Sequence, residues 1–134
     1  MTSLADEAGL SARVAVARAF LACLADQNFD GLASAFADGV HLRALLPAEM
    51  REWHGPDEVK ATFMRWFGKT QEFELVYADV DAVGSRLHVW WRARLRAERL
   101  GEGWFVAEQH AYVDSDDESR INQVSLVCSG YVAE

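Results

Sequence analysis

Two polar side chains stand in sequence contexts that could support chemistry, Gln109 and His54. Gln109 alternates with Ala107 and Ala111, a spacing that puts an amide on the apolar face of a strand beside small side chains. An amide both donates and accepts hydrogen bonds, so it can hold a ligand without changing charge. His54 follows Trp53 just before a predicted helix, and histidine can act as a general base near neutral pH. The sequence identifies no carboxylate that would orient His54. Gln109 and His54 are therefore catalytic candidates to which the sequence assigns no partner residues.

A third polar candidate is Asn122, whose orientation depends on the register of a predicted strand over 120–132. One register buries Val124, Leu126 and Cys128 and points Asn122 inward, whereas the opposite register buries Gln123 and Ser125. The three candidates also have structural interpretations. A buried amide is usually satisfied within the protein, and a histidine in a loop is usually solvated.

The histidines and cysteines predict no metal site and no cofactor. No two of them have the separation of metal-ligating pairs, and the acidic stretch 114–118 lacks the glycine of a calcium-binding loop. Cys23 and Cys128 lie far apart in the sequence, so no disulfide framework is indicated. Reduced thiols are typical of a cytoplasmic protein, which is the expected location.

Composition limits the class of protein. The chain of 134 residues is 51% hydrophobic and 25% charged, which predicts one folded domain over 1–134 with residues 1–10 as a loose lead-in. The net charge of −8 argues against nucleic acid and against an anionic membrane surface as partners. No uninterrupted apolar run approaches the length of a membrane span, and the N-terminus lacks the basic and apolar regions of a signal peptide.

Hydrophobic spacing predicts an α+β domain. Apolar residues three to four positions apart indicate helices, and alternating ones indicate strands. The predicted helices cover 11–26, 30–38 and 56–67. The predicted strands cover 40–46, 72–83, 86–99, 103–114 and 120–132, with a loop at 47–53. Three helices followed by a meander of long strands predict helices packed on one face of a curved sheet.

The strand over 86–99 indicates which face of the sheet is buried. Its apolar row is Leu87, Val89, Trp91, Ala93 and Leu95, and its other row is rich in arginine. A slip of one residue would bury the arginines, so the apolar row faces inward. A turn at Gly101 and Glu102 predicts the inner pairs Ala93 with Gln109 and Trp91 with Ala111, and the outer pairs Arg94 with Glu108, Arg92 with His110 and Trp90 with Tyr112.

Large apolar side chains are numerous enough around the small inner ones to line a pocket. The candidates for contact with an apolar, ring-like ligand are Phe20, Leu24, Met50, Trp53, Phe63, Phe67 and Trp91, together with Gln109 and Asn122. The alternative for each apolar residue is an ordinary place in the hydrophobic core.

Three segments resemble one known family. They are FLACLADQNFDGL over 20–32, FADGV over 36–40 and WHGPDEV over 53–59. In this order, and followed by the four-strand meander, they resemble the nuclear transport factor 2-like superfamily and, more narrowly, its SnoaL-like branch. The resemblance implies a cone-shaped, strongly bent, mostly antiparallel sheet closed by three N-terminal helices, with a pocket in the cone. It also implies a homodimer through the outer sheet face, where Trp90, Arg92, Arg94 and Tyr112 are expected to lie.

The resemblance spans several chemistries, because the superfamily contains ketosteroid isomerases, polyketide cyclases, epoxide hydrolases, dehydratases and members without catalytic activity. The isomerase positions for a tyrosine, a general base and a protonated acid fall on Phe20, Ala44 and Gln109. This replacement predicts no ketosteroid isomerase activity. The inward Asp–Arg–Asp set of the epoxide hydrolases has no counterpart either, because Arg92 and Glu108 are predicted to face outward.

Three functions remain open from the sequence. The favoured one is a pocket protein that binds a small apolar, ring-containing ligand. The second is an isomerase, cyclase, hydrolase or dehydratase acting on a polycyclic or terpenoid compound through Gln109, His54 and Asn122. The third is a dimeric interaction module whose cone is only a core. The scarcity of inward carboxylates favours binding over catalysis.

Overall fold

The computed structural model describes residues 4–134, with side chains from residue 7 onward. The helices are α1 (Leu4–Ala25), α2 (Phe29–Ala33) and α3 (Pro56–Phe67). The strands are β1 (Phe36–Leu45), β2 (Met50–His54), β3 (Glu72–Val83), β4 (Arg86–Arg96), β5 (Phe105–Ser115), β6 (Ile121–Cys128) and β7 (Val132–Ala133). They form a single sheet in the order β2-β1-β6-β5-β4-β3, in which β7 pairs with β5 and only the β1–β6 pair is parallel. The α+β class and the mostly antiparallel curved sheet closed by three helices are confirmed.

Several element boundaries differ from the sequence prediction. The first helix begins at Leu4 instead of residue 11, so residues 4–10 are helical, while residues 1–3 of the predicted lead-in lie outside the described residues. The second helix is shorter than predicted, and Asn28 caps it by accepting a hydrogen bond from the Gly31 N–H at 3.0 Å. The chain then extends early, so that Phe36 begins β1.

Two further strands were not predicted as such. The expected loop over 47–53 contains β2, which pairs with β1 as an antiparallel hairpin. The expected strand over 120–132 is interrupted at Gly130, whose φ of 77° turns the chain before β7. A left-handed φ is accessible to glycine at little cost, which explains the break.

The register between β4 and β5 differs from the predicted one by two residues. Trp91 lies opposite Gln109 and Ala93 lies opposite Ala107, whereas Ala93 was expected opposite Gln109. The reason is the connection, which contains a 3₁₀ turn over Glu98–Leu100 followed by Gly101 at φ 100°, and is longer than a two-residue turn. Because the shift is even, each side chain keeps its predicted face.

The outer pairs change with the register. Trp90 lies opposite His110 and Arg92 lies opposite Glu108, and the predicted pair of Arg94 with Glu108 is replaced by Arg94 opposite Val106. The Arg94 guanidinium instead binds the carboxylate of Glu134 at 2.7 and 2.8 Å. Charged side chains on the outer face are therefore paired, as predicted, but with partners other than the predicted ones.

The core lies between the inner sheet face and helices α1 and α3. The whole predicted apolar row of β4 is buried, and α3 buries Val59, Phe63 and Phe67 as its spacing indicated. In α1, Phe20 and Leu24 are buried together with Ala17. Burying each large apolar side chain contributes about 1.5–3 kcal/mol, so this seam holds the helices on the sheet.

Helix α1 is also long and apolar enough to cross a membrane when judged by length and composition alone. The segment Glu7–Ala25 has a mean hydropathy of 1.5, although charged residues interrupt its apolar runs. A core helix passes the same test, and here the inner side of the helix packs into the domain through Phe20 and Leu24.

Candidate functional site

A cleft of about 300 Å³ opens between the end of α3, the inner face of β5 and the C-terminal residues. We call it the Gln109 cleft. Its lining residues are Leu46, Pro47, Trp66, Phe67, Ala107, Gln109, Cys128, Gly130 and Tyr131. The polar side chains among them end in an amide, a thiol and a phenol, and the other walls are apolar.

The amide of Gln109 is the most buried polar group in the cleft wall, with 1% of the residue exposed. The strand register places it opposite Trp91 on one side and opposite Cys128 on the other. Its Nε2 donates to the Cys128 Sγ at 3.3 Å. Its Oε1 is shielded from solvent and has no hydrogen-bond partner among residues 7–134. An unsatisfied buried acceptor costs about 1–3 kcal/mol, so this oxygen requires an explanation.

The Cys128 sulfur receives two hydrogen bonds. Besides the Gln109 amide, the Gly130 N–H donates to Sγ at 3.3 Å. Sulfur is a weak acceptor, so these contacts orient the side chain more than they stabilise it. Both cysteines of the chain are free thiols, and Cys128 is the one in the cleft.

The end of α3 forms the opposite wall. The Arg99 guanidinium donates to the carbonyl oxygens of Trp66 at 2.8 Å and Gly68 at 2.9 Å, which are groups left free at a helix C-terminus. The Gln27 amide donates to the Phe67 carbonyl at 2.7 Å. These side chains fix the end of the helix, and with it the positions of Trp66 and Phe67 in the cleft.

The last six residues, 129–134, fold back over the cleft and are called here the C-terminal strap. The Tyr131 hydroxyl donates to the Trp66 carbonyl, which joins the strap to α3. Burial raises the pKa of Tyr131, against the opposing effect of Arg99, so the phenol stays protonated and able to donate. At the far end, the Glu134 carboxylate binds Arg94 and the Glu134 N–H donates to the Trp104 carbonyl at 2.9 Å.

Close packing also fixes the start of the strap. A side chain at Gly130 would come within 2.7 Å of the Pro47 ring, and the φ of 77° adds strain for other residues. Gly130 and Pro47 therefore define one side of the cleft opening.

Of the residues expected to contact a ligand, Phe67 and Gln109 lie together in the Gln109 cleft. Phe20, Phe63 and Trp91 instead surround an internal void of only about 10 Å³, which is smaller than any ring compound. Their rings are in contact, with centroids 5.6 Å apart for Phe20 and Trp91. Leu24 is fully buried in the same core, so the middle of the cone is filled by side chains.

The other expected ligand contacts lie outside the cleft. Met50 is 49% exposed on β2, while Trp53 is buried edge-to-face against Trp66. Asn122 is half-buried beside Ile121, near a register irregularity in β5 and β6, and is absent from the cleft wall. Val124 and Leu126 are buried, which settles the inward face of β6.

His54 is exposed at the end of β2 and stacks on His41, with ring centroids 4.5 Å apart. The carboxylate of Glu52 binds the Nε2 of His41 at 3.0 Å, and the Glu58 carboxylate accepts the backbone N–H of His54 at 3.2 Å. No carboxylate contact to the His54 ring is found among residues 7–134, and His54 does not line the Gln109 cleft. The structure thus brings Gln109 and His54 to different places.

Several cleft residues were missed at the sequence level. Tyr131, Gly130, Pro47 and Leu46 come from loops and from the strap, whose positions depend on tertiary contacts and not on periodicity. One local signal was present, because a glycine just after a strand often marks a sharp change in chain direction. That signal indicates a turn at Gly130, but not what the following tyrosine contacts.

The outer sheet face carries five aromatic and histidine rings, which we call the outer aromatic cluster. They are Tyr77, His88, Trp90, His110 and Tyr112. The His88 Nε2 and His110 Nδ1 atoms are 2.9 Å apart, and burial together with His110 lowers the pKa of His88. A second cleft of about 330 Å³ lies beside these rings, and the Trp90 indole N–H there is buried without a partner.

The rim of the cluster is charged. Arg92 binds Glu108 at 2.9 Å, and Arg86 binds Asp114 at 2.9 Å. Arg92 and Glu108 are on the outer face as predicted, so they do not form an inward acid–base set. Within residues 7–134, no group of three or more histidine, cysteine or acidic side chains is arranged to hold a metal ion.

Comparison with solved structures shows the same fold. The chain is similar to Bal32a from a soil-derived mobile gene cassette, at a TM-score of 0.72 and 14% identity over 91% of this chain and 92% of that one. It is similar to an NTF2-like protein from Burkholderia xenovorans LB400, at a TM-score of 0.66 and 15% identity over 89% of this chain and 90% of that one. It is also similar to an LEH-like epoxide hydrolase of M. tuberculosis, at a TM-score of 0.63 and 17% identity over 89% of this chain and 84% of that one.

Comparison of sequences gives the family. No curated protein matches the chain significantly. The model of the SnoaL-like domain matches residues 17–122, from the middle of α1 to the start of β6. The segments over 20–32, 36–40 and 53–59 that suggested this family all fall within the match. The chain therefore belongs to the SnoaL-like domain family, within the NTF2-like fold.

Proposed function

We propose that the protein binds a small, apolar, ring-containing molecule in the Gln109 cleft. The observation that carries the proposal is an apolar cleft of about 300 Å³ with the buried Gln109 amide in its wall, an amide whose Oε1 is unsatisfied. Ligand sites usually combine apolar walls with a few placed polar groups and have volumes from about 300 Å³ upward. Trp66 and Phe67 supply aromatic surface for a flat ring.

Binding fits the chemistry of this cleft better than acid–base catalysis. Its polar side chains are Gln109, Cys128 and Tyr131, and the pKa of Tyr131 is raised, away from the range useful for a base at neutral pH. An epoxide hydrolase stands among the structural neighbours, yet at 17% identity it supports the fold and not its reaction. We place this binding activity in the cytoplasm, because both cysteines are unpaired thiols.

The test is a cleft-filling variant with a matched neighbour. Leu46 lines the cleft, while Leu45 next to it is exposed and does not. A panel of fused-ring aromatic compounds is screened by isothermal titration calorimetry. We expect Leu46→Trp to abolish binding of every hit and Leu45→Trp to leave binding unchanged. Equal affinities for Leu46→Trp and the native protein, or no hit in the panel, would contradict the proposal.

We also propose that two copies of the chain associate through the outer aromatic cluster. Aromatic side chains at the centre and charged pairs at the rim are the usual composition of a protein interface. Val127, which lies opposite His110, extends the exposed apolar surface of this face.

A further inference from the structure

We propose that the ligand of the Gln109 cleft is an apolar ring compound bearing a hydroxyl or N–H group, and that Gln109 Oε1 accepts the hydrogen bond from this donor. The inference rests on the proposed function, because it concerns the same cleft. It narrows the ligand from any apolar ring compound to one with a hydrogen-bond donor, and it predicts weaker binding of ligands that offer only a carbonyl or ether oxygen.

The two ends of the Gln109 amide are used differently. The Nε2 end donates to the Cys128 Sγ at 3.3 Å, whereas the Oε1 end is buried without a partner. A ligand carbonyl would have to displace the Cys128 sulfur from Nε2, and it would still leave Oε1 without a partner. A ligand hydroxyl meets the end that is free, so the group that completes the amide is a donor.

The neighbouring side chains do not supply this donor. Trp91 lies directly opposite Gln109 on the inner face, and its indole N–H is also buried without a partner. The two groups therefore do not bond to each other although the register places them side by side. The Cys128 thiol contacts the nitrogen end of the amide and not its oxygen.

A small movement is enough to present the oxygen to the cleft. The terminal torsion of a glutamine side chain is soft, because it joins a tetrahedral carbon to a planar one. The hydrogen bond to sulfur is weak and resists this rotation little. Gln109 can therefore turn its oxygen toward a ligand while the residue stays in the strand.

The burial of the oxygen makes the hydrogen bond selective. Because a polar group in a buried site has lost its water, an unpaired donor or acceptor there is penalised more than one in solvent. A ligand that supplies the donor removes this penalty, and a ligand of the same shape without the donor keeps it. The expected difference in dissociation constant is about three- to tenfold for one neutral hydrogen bond.

The experiment compares three naphthalenes of similar size on the full chain: 2-naphthol as donor, 2-methoxynaphthalene as its methyl ether, and 2-acetylnaphthalene as a carbonyl acceptor. Isothermal titration calorimetry measures each dissociation constant with the native protein and with Gln109→Leu. The native protein should bind 2-naphthol about three- to tenfold more tightly than the other two. Gln109→Leu should bind the three compounds with similar dissociation constants, because the substitution weakens the binding of 2-naphthol only. Gln109→Met repeats the test if the leucine variant does not fold.

The outcomes separate this inference from the proposed function. If all three compounds bind the native protein equally and Leu46→Trp abolishes them, the cleft binds rings but the donor inference is wrong. If 2-acetylnaphthalene binds most tightly, the amide presents its nitrogen and the inference is overturned. If none binds, the proposed function fails and the inference fails with it.

Discussion

The Tyr131 hydroxyl donates to the Trp66 carbonyl and thereby joins the C-terminal strap to the end of α3 across the opening of the Gln109 cleft. The same carbonyl accepts a hydrogen bond from Arg99 at 2.8 Å. The strap is also held by the pairing of β7 with β5 and by the contacts of Glu134 with Arg94 and Trp104. Access to the cleft is therefore coupled to the stability of this short segment.

We expect Tyr131→Phe to loosen the strap without unfolding the domain. The substitution keeps the ring and removes one hydrogen bond, which costs about 0.5–1.5 kcal/mol. Hydrogen exchange should become faster at the backbone N–H of Glu134, which bonds to the Trp104 carbonyl. Tyr112→Phe, on the outer face, is the control and should leave exchange in the strap unchanged. Unaltered exchange in Tyr131→Phe would show that the hydrogen bond from Tyr131 to the Trp66 carbonyl does not hold the strap.

We expect Gln109→Leu to leave the free energy of unfolding unchanged or to raise it by about 1 kcal/mol. The substitution removes an unsatisfied buried oxygen at the loss of a weak contact to sulfur, and leucine has a similar size. Urea denaturation measures the change, and Gln71→Leu at an exposed site is the control. A loss of several kcal/mol would mean that the amide is structural, with a partner for its oxygen inside the protein.

The alternation of residues was enough to predict which faces of β4 and β5 are buried. Apolar residues at every second position of β4 face the core because any odd shift would bury arginine. The same alternation cannot distinguish registers that differ by two residues, since both keep the faces. The turn over Glu98–Leu100 and Gly101 determines which of these registers β4 and β5 adopt. Gln109 was therefore correctly predicted to face inward, but it was paired with the wrong neighbour.

The candidate site was only partly predictable for a related reason. Phe67 and Gln109 belong to regular elements whose periodicity marks the inner face, and both line the cleft. Gly130 and Tyr131 follow the last long strand and fold back through contacts with Pro47 and Trp66, which are distant in sequence. No local pattern encodes such contacts, so the sequence did not predict that these two residues line a cleft.

We expect the free energy of unfolding to decrease as the pH is lowered from neutral to the lowered pKa of His88. Burial, and then His110, lower this pKa, against a smaller opposing effect of Asp81. The unfolded chain takes up a proton near pH 6.5 while the folded chain stays neutral, so below 6.5 the unfolded state binds more protons and stability decreases. The decrease ends once the folded His88 is also protonated.

Substitution isolates this effect. His88→Asn should flatten the dependence of stability on pH just below 6.5. Glu108, hydrogen-bonded by Arg92, and Glu134, hydrogen-bonded by Arg94, have lowered pKa values, so the stability they contribute is lost at a lower pH, below about 4.5. An unchanged slope in His88→Asn would show that the histidine pair does not control stability in this range.

We expect Trp90→Glu to produce monomers. The substitution puts a carboxylate at the centre of the outer aromatic cluster, where association of two copies would bury it without a partner. Light scattering at micromolar concentration measures the mass. Met64→Glu, at an exposed apolar position on α3, is the matched control and should remain dimeric. A native protein that is already monomeric at this concentration would contradict the proposed association.

We expect no ketosteroid isomerase activity from the native protein. The positions that resemble that enzyme's tyrosine, general base and protonated acid are Phe20, Ala44 and Gln109, and all three are buried in the core or the cleft wall. A phenyl ring and a methyl group cannot donate or remove a proton, and an amide does not titrate near neutral pH. Isomerisation of a 5-ene-3-ketosteroid, followed by the absorbance of the conjugated product, should therefore proceed at the solution rate. Turnover above that rate that disappears in Leu46→Trp would show that the cleft supplies a base other than these residues.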